Sequence, residues 1–179
     1  MRIIIFVLLM LPAVLFAQES DFDEVKRLAE QGQVDAQNEL GAMYANGNGV
    51  PENDAEAVNW FRLAAEQGSE TAQFVLGIMY DNGEGVPEND AEAVKWYRLA
   101  AEQGNAIAQS SLSVMYYQGE GVPENYLTAY VWTSVSAAQG NQVAKGNVES
   151  IKKSLTNEQL VQGQVLASKC FESNFKDCP

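Results

Sequence analysis

Residues 69–104 read SETAQFVLGIMYDNGEGVPENDAEAVKWYRLAAEQG, and this stretch decides the fold. Ser69 is a good N-cap, and Ala72, Val75, Leu76, Met79 and Tyr80 follow at i, i+3, i+4, i+7 and i+8, the spacing of one helix face. Asn82-Gly83 stops that helix, because glycine accepts the left-handed C′ conformation without a Cβ penalty. Pro87 holds Val86 extended, so the chain turns there. Asn89 caps a second helix, with Glu92 three residues on to complete a capping box. Ala93, Trp96, Tyr97 and Ala100 form its apolar face, and Gln103-Gly104 ends it. The expected unit is two helices joined by a tight loop.

The same unit recurs every 36 residues. Gly41-Ala-Met43-Tyr44 returns as Gly77-Ile-Met79-Tyr80 and as Ser113-Val-Met115-Tyr116. The loop Gly49-Val50-Pro51-Glu52-Asn53 returns at 85–89 and 121–125, and Trp60 returns as Trp96 and Trp132. A fixed period of this length means stacked supersecondary units, none able to bury its apolar face alone. The third copy departs in places. Ser113 replaces glycine, Thr128 replaces the Glu56/Glu92 position, and Ala138 replaces Glu66/Glu102. The expected organisation is a half-repeat helix over 18–34, repeats over 35–70, 71–106 and 107–142, and capping helices with a tail over 143–179. Within the last part, 141–154 reads as a fourth first-type helix. Thr156-Asn-Glu-Gln159 opens one more, which reads as a cap on the end of the stack.

The A-x-x-x-L-G-x-M-Y start, the G-x-G-V-P-x-N loop and the A-V-x-W-[FY]-R-x-A-A-E-Q-G end resemble Sel1-like repeats, relatives of the tetratricopeptide repeat. The resemblance covers roughly residues 30–148. It implies an all-α fold, a right-handed α-solenoid of helix-turn-helix repeats, in a family whose members mostly act as adaptors in protein complexes. It does not imply a single activity.

Residues 1–17 have the layout of a secretory signal peptide: Arg2, an apolar run from Ile3 to Leu11, and Ala17 before the polar Gln18-Glu19-Ser20. The apolar stretch is shorter than the roughly 20 residues a spanning helix needs. The expectation is cleavage after Ala17, no membrane span afterwards, and a secreted protein of a bacterial periplasm. The chain has 179 residues, no histidine and a net charge of −13. Histidine-dependent hydrolysis and His-ligated zinc are therefore excluded. The acid concentrates in 18–149, which carries −15, while 150–179 carries +1. Phosphate binding needs clustered positive charge, so nucleic acid is not an expected partner.

Three constellations invite chemistry. Ser150-Ile-Lys-Lys153 matches S-x-x-K, the nucleophile motif of penicillin-binding enzymes, and some cysteine-rich proteins of the resembled family have been described as penicillin-binding. The companion S-D-N and K-T-G motifs are absent, so a cell-wall or β-lactam-acting enzyme is the alternative reading, and no catalytic residue is assigned. The loop residues Asp81, Asn82, Glu84, Glu88, Asn89 and Asp90 offer oxygen ligands, yet helix stops and caps already explain them, so neither metal nor cofactor is expected. Cys170 and Cys178 are the only cysteines. In an oxidising compartment they are expected to form a bridge that pins Phe171 and Phe175 onto the last helix.

Comparing the repeats with each other gives the functional expectation. Positions 36, 40, 43 and 44 barely change between copies and read as packing. Positions 38, 42 and 45 vary: Asn38/Ala42/Ala45, then Phe74/Ile78/Asp81, then Ser110/Val114/Tyr117. First helices line the groove of tetratricopeptide-like solenoids, where peptides dock. Asn38, Phe74, Ile78, Asp81, Val114 and Tyr117 are therefore candidate contacts for a protein or peptide partner with a basic or apolar segment. Packing on the neighbouring unit explains the same positions as well, and both readings stand at this point.

Overall fold

The computed structural model describes residues 21–179. The 1–17 leader expected from the sequence lies outside them. The described chain is helical throughout: α1 (Asp21–Glu30), α2 (Val34–Asn46), α3 (Asp54–Glu66), α4 (Glu70–Asn82), α5 (Asp90–Glu102), α6 (Ala106–Gln118), α7 (Tyr126–Ala138), α8 (Gln142–Lys152) and α9 (Asn157–Glu172). Each helix up to α8 packs on its predecessor, most extensively within the hairpins α2–α3, α4–α5 and α6–α7. The result is a solenoid with α2, α4, α6 and α8 as first helices and α1, α3, α5 and α7 as second helices.

The caps follow the sequence. Ser69 Oγ accepts from Ala72 N at 3.2 Å, and the Asn53, Asn89 and Asn125 side chains cap α3, α5 and α7. Gly47, Gly83 and Gly119 close the first helices in the left-handed conformation. The capping box expected at Asn89 is only half formed. Asn89 N donates to Tyr80 O at 2.8 Å, so it is already occupied, and the Glu92 carboxylate pairs with Lys95 instead. The box at Thr156 and Gln159 is complete.

The core stacks equivalent residues. Leu40, Leu76 and Leu112 are fully buried, as are Ala57, Ala93 and Ala129. Between hairpins runs a polar ladder. Gln37, Gln73 and Gln109 each donate to a carbonyl eight residues back (Ala29, Ala65, Ala101), and each accepts from Gln67, Gln103 or Gln139 at 2.6–2.7 Å. Loops also stack: a Cβ on Gly85 would lie 2.3 Å from Asp54 O, so only glycine fits where this loop meets the start of α3.

Gly41 and Gly77 have a steric role. A Cβ on Gly77 would lie 2.4 Å from the Tyr97 ring, and Gly41 faces Phe61 in the same way. In the third hairpin both partners change together. Ser113 fills the glycine position, Thr133 the aromatic one, and their hydroxyls hydrogen-bond, with Ser113 Oγ also donating to Ala129 O at 2.9 Å. The departure seen in the third copy is thus a matched exchange.

α9 does not close the stack across α8 but folds back onto α7, where Gly163 lets it approach Tyr130 to a distance that excludes a side chain. α8 itself ends the repeat array. Lys145 and Glu149 stand where Gln37/Gln73/Gln109 and Gly41/Gly77 would receive another second helix, and both are exposed. Cys170 and Cys178 are bonded, with Cα atoms 4.6 Å apart. Phe171 is half exposed rather than pinned to α9, and Phe175 is buried against Gly104, outside the last helix.

Candidate partner-binding face

The first helices α2, α4, α6 and α8 present one common face, which carries all six candidate residues. The structure divides them by environment. Asn38 Nδ2 donates to Ser69 Oγ at 2.8 Å, tying one repeat to the N-cap of the next, while its buried Oδ1 lacks a partner. Phe74 lies 6.1 Å from the Tyr97 ring, and both Phe74 and Ile78 are partly buried against the core. Asp81 Oδ2 accepts from Tyr97 Oη at 3.0 Å. Burial, followed by the Asp81 charge and this bond, pushes the Tyr97 phenol well above the ordinary tyrosine range. Val114 and Tyr117 are exposed, 37% and 36%, and the Tyr117 ring lies 5.3 Å from that of Tyr126, tilted by 50°.

Three clefts lie on this face. One of about 140 Å³ is lined by Ser113, Val114, Tyr117, Asn147, Ser150 and Ile151. A second, about 190 Å³, is lined by Ile107, Ser110, Ser111, Val114, Asn141 and Val143. Val114 is the wall shared by both. A third, about 340 Å³, opens between α2 and α4 and carries Asp54 and Glu84 beside Ala42, Ala45 and Ile78. The face therefore carries acid towards α2 and α4, and is apolar towards α6 and α8.

Two large exposed side chains of this apolar end escape the sequence comparison: Ile107 at 57% and Val143 at 66% exposure. A signal for them exists. At the same register the repeats read Asp35, Thr71, Ile107, Val143, a drift from polar to apolar along the stack.

Ser150 is exposed on the wall of the smallest cleft, one turn from the exposed Lys153. The contact between them is main-chain, Lys153 N to Ser150 O at 3.3 Å, and Lys152 pairs with Glu149. A serine nucleophile needs a base within hydrogen-bonding reach of its hydroxyl. The structure shows no hydrogen bond from Ser150 Oγ to Lys153 Nζ.

A stack of equal helical hairpins whose first helices expose clefts is a helical-repeat solenoid of the protein-interaction class. The family model of the Sel1 repeat matches residues 34–69, 71–105 and 106–141, and the chain belongs to that family. Membership indicates a protein-interaction scaffold, and it gives no support to the enzyme alternative. A Sel1 repeat protein from Oxalobacter formigenes is 41% identical with a TM-score of 0.67, covering 73% of this chain and 98% of that one. The protective antigen c5321 of uropathogenic Escherichia coli, which has an SLR fold, is 29% identical with a TM-score of 0.66, over 86% of this chain and 42% of that longer one. Helicobacter pylori cysteine rich protein B shares the fold at 23% identity, with a TM-score of 0.56 over 71% of this chain and 96% of that one. No curated protein matches the chain.

Proposed function

We propose that this chain is an exported adaptor that holds a protein partner along the face of its first helices. The observation that carries the reading is the exposed apolar cluster Ile107, Val114, Tyr117 and Val143 around two adjoining clefts, in a surface that is otherwise strongly acidic. Contiguous exposed apolar surface with a polar rim marks interaction sites. Phe74 and Ile78 continue the strip inward, and Asn38 and Asp81 contribute its polar edge.

The partner segment that fits has apolar side chains for the α6–α8 clefts and basic residues for the α2–α4 end. The charge of −15 over residues 18–149 supports the second part. Export to a bacterial periplasm is supported by the basic, apolar, then small-residue layout of 1–17 and by the Cys170–Cys178 bond, which belongs to oxidising compartments. Regulation of the partner, as distinct from simple assembly, is a special case of the same binding.

Tyr117→Ser and Val114→Ser test the reading, because both side chains are exposed and contribute little to the core. The expected result is at least a tenfold loss of partner affinity at unchanged helicity. Unchanged affinity would remove this face from the binding account. Phe74→Ser is a poorer test, since Phe74 packs on Tyr97 and its loss also costs stability.

A further inference from the structure

On the other layer of the solenoid, residues 173–179 leave α9 and run back over α5 and α7. Asn174 and Phe175 hold φ values of 53° and 66°, a left-handed pair that residues with side chains adopt at a cost. Phe175 N donates to Cys170 O at 2.8 Å, and its ring is buried on Gly104, 3.0 Å from where a Cβ would sit. Lys176 Nζ donates to Glu102 O at 3.3 Å. The main-chain oxygen of Pro179 accepts from Trp132 Nε1 at 3.1 Å and from an Arg98 guanidinium nitrogen at 3.2 Å. Arg98 also bonds to the Tyr116 hydroxyl.

Beyond its contacts with α9 itself, the tail is received by repeat residues in and just after α5 and in α7 that have counterparts one unit earlier. Gly68 corresponds to Gly104, Arg62 to Arg98, and Trp96 to Trp132. There the seat is empty. Among the described residues, nothing lies within 4 Å of a Cβ on Gly68, Arg62 bonds to the Tyr80 hydroxyl, and Trp96 Nε1 has no partner. The tail is therefore an addition to the repeat surface, bound as a peptide ligand is bound. An aromatic ring enters a glycine seat, and four residues later a main-chain oxygen meets an arginine and an indole N–H.

We propose that the groove formed by α5, α7 and α9 is a peptide-docking site, that the chain's own 174–179 segment is its resident occupant, and that the Cys170–Cys178 bond is the latch that keeps it there. A dithiol reductant opens the latch. One of its thiolates attacks the Sγ of Cys178, the less buried of the two residues, and the Cys170 sulfur leaves and takes up a proton. The second thiol of the reductant then resolves the mixed disulfide and frees Cys178 as a thiol. Two electrons and two protons pass to the protein, and the reductant ends as a disulfide. The vacated groove accepts a segment of the same chemistry, with an aromatic side chain four residues ahead of a free main-chain oxygen.

Hydrogen exchange on the full chain tests the latch, comparing the oxidised protein with the dithiothreitol-reduced protein and with a Cys170→Ser/Cys178→Ser variant. Amides of 173–178 are expected to exchange at least tenfold faster without the bond, with α2–α6 unchanged. A fluorescent peptide of residues 171–179 carrying Cys178→Ser is expected to bind the reduced protein at least tenfold more tightly than the oxidised one. Adding Arg98→Met or Trp132→Phe to the double-serine variant is expected to abolish that binding. A tail that stays protected after reduction would overturn the proposal, as would loss of protection throughout the chain, which would make the bond a staple of the whole fold. Equal peptide binding in both redox states, or binding indifferent to Arg98 and Trp132, would overturn it equally.

Discussion

The hydroxyls of Ser113 and Thr133 meet inside the third hairpin, at the two positions that Gly77 and Tyr97 occupy in the second. A bulky ring against a bare backbone is replaced by two small hydroxylated side chains that satisfy each other. Both are fully buried, so neither hydroxyl could remain there alone at little cost. Thr133→Tyr is expected to destabilise the chain by about 1–3 kcal/mol through overpacking on Ser113. Pairing it with Ser113→Gly rebuilds the second-hairpin arrangement and should recover most of the loss. Urea unfolding of the two single variants and the double variant measures the coupling, expected at about 1–3 kcal/mol. Additive effects would show that the exchange is not matched.

The glutamine ladder gives a second stability prediction. Gln109 is fully buried, donates to Ala101 O at 3.1 Å and accepts from Gln139 at 2.6 Å. Gln109→Leu removes this bond to Ala101 O, which still accepts from Gly104 N, together with the acceptor of Gln139, and is expected to cost about 0.5–1.5 kcal/mol. Gln139→Ala leaves the buried Gln109 Oε1 without its donor and should cost more, about 1–3 kcal/mol. Denaturation midpoints of the two variants decide the order.

These two features mark the line between what could and could not be read in the sequence. The period, the caps at Ser69 and Asn89 and the stop at Gly83 were legible because each is local chemistry repeated in register. The partnership of Gly77 with Tyr97 spans two helices, and nothing in a linear pattern pairs them. The ladder was half visible: Gln67, Gln103 and Gln139 close a recurring motif, but their partners Gln37, Gln73 and Gln109 sit inside apolar helices, where a polar residue reads as background. The path of α9 was not legible, since its apolar face serves a cap on α8 and a return onto α7 equally well. Gly163 against Tyr130 chooses between them. Of the candidate face, the varying positions were visible by comparing the repeats. Which of them are exposed is a packing outcome, and Ile107 and Val143 lay outside the positions compared.

Tyr97 predicts a dependence on alkaline pH. In the folded chain its phenol stays protonated to higher pH than usual, because burial and the neighbouring Asp81 oppose the phenolate. In the unfolded chain it ionises near the ordinary value of about 10. The stabilisation is therefore intact below about pH 10 and is lost as the pH rises beyond it. Tyr97→Phe, which copies Phe61 of the first hairpin, is expected to flatten the fall in stability above pH 10 in thermal unfolding. An unchanged slope would mean that other groups set it.

Charge predicts how the partner arrives. With −15 over residues 18–149, association with a basic segment should be accelerated by the field and screened by salt. Raising ionic strength is expected to slow the association rate severalfold while changing the dissociation rate little. A rate indifferent to salt would point to a partner recognised by the apolar clefts alone.

The central claim is that a partner lies along the first helices. Site-specific photo-crosslinking tests it most directly, with the photoreactive residue placed at Tyr117 and Val143 on that face and at Leu99 on the second-helix layer, where the side chain is also exposed. The account predicts one and the same partner crosslinked from 117 and 143, competed away by unlabelled chain, and no such product from 99. Crosslinks from 99 with none from 117 or 143 would contradict it.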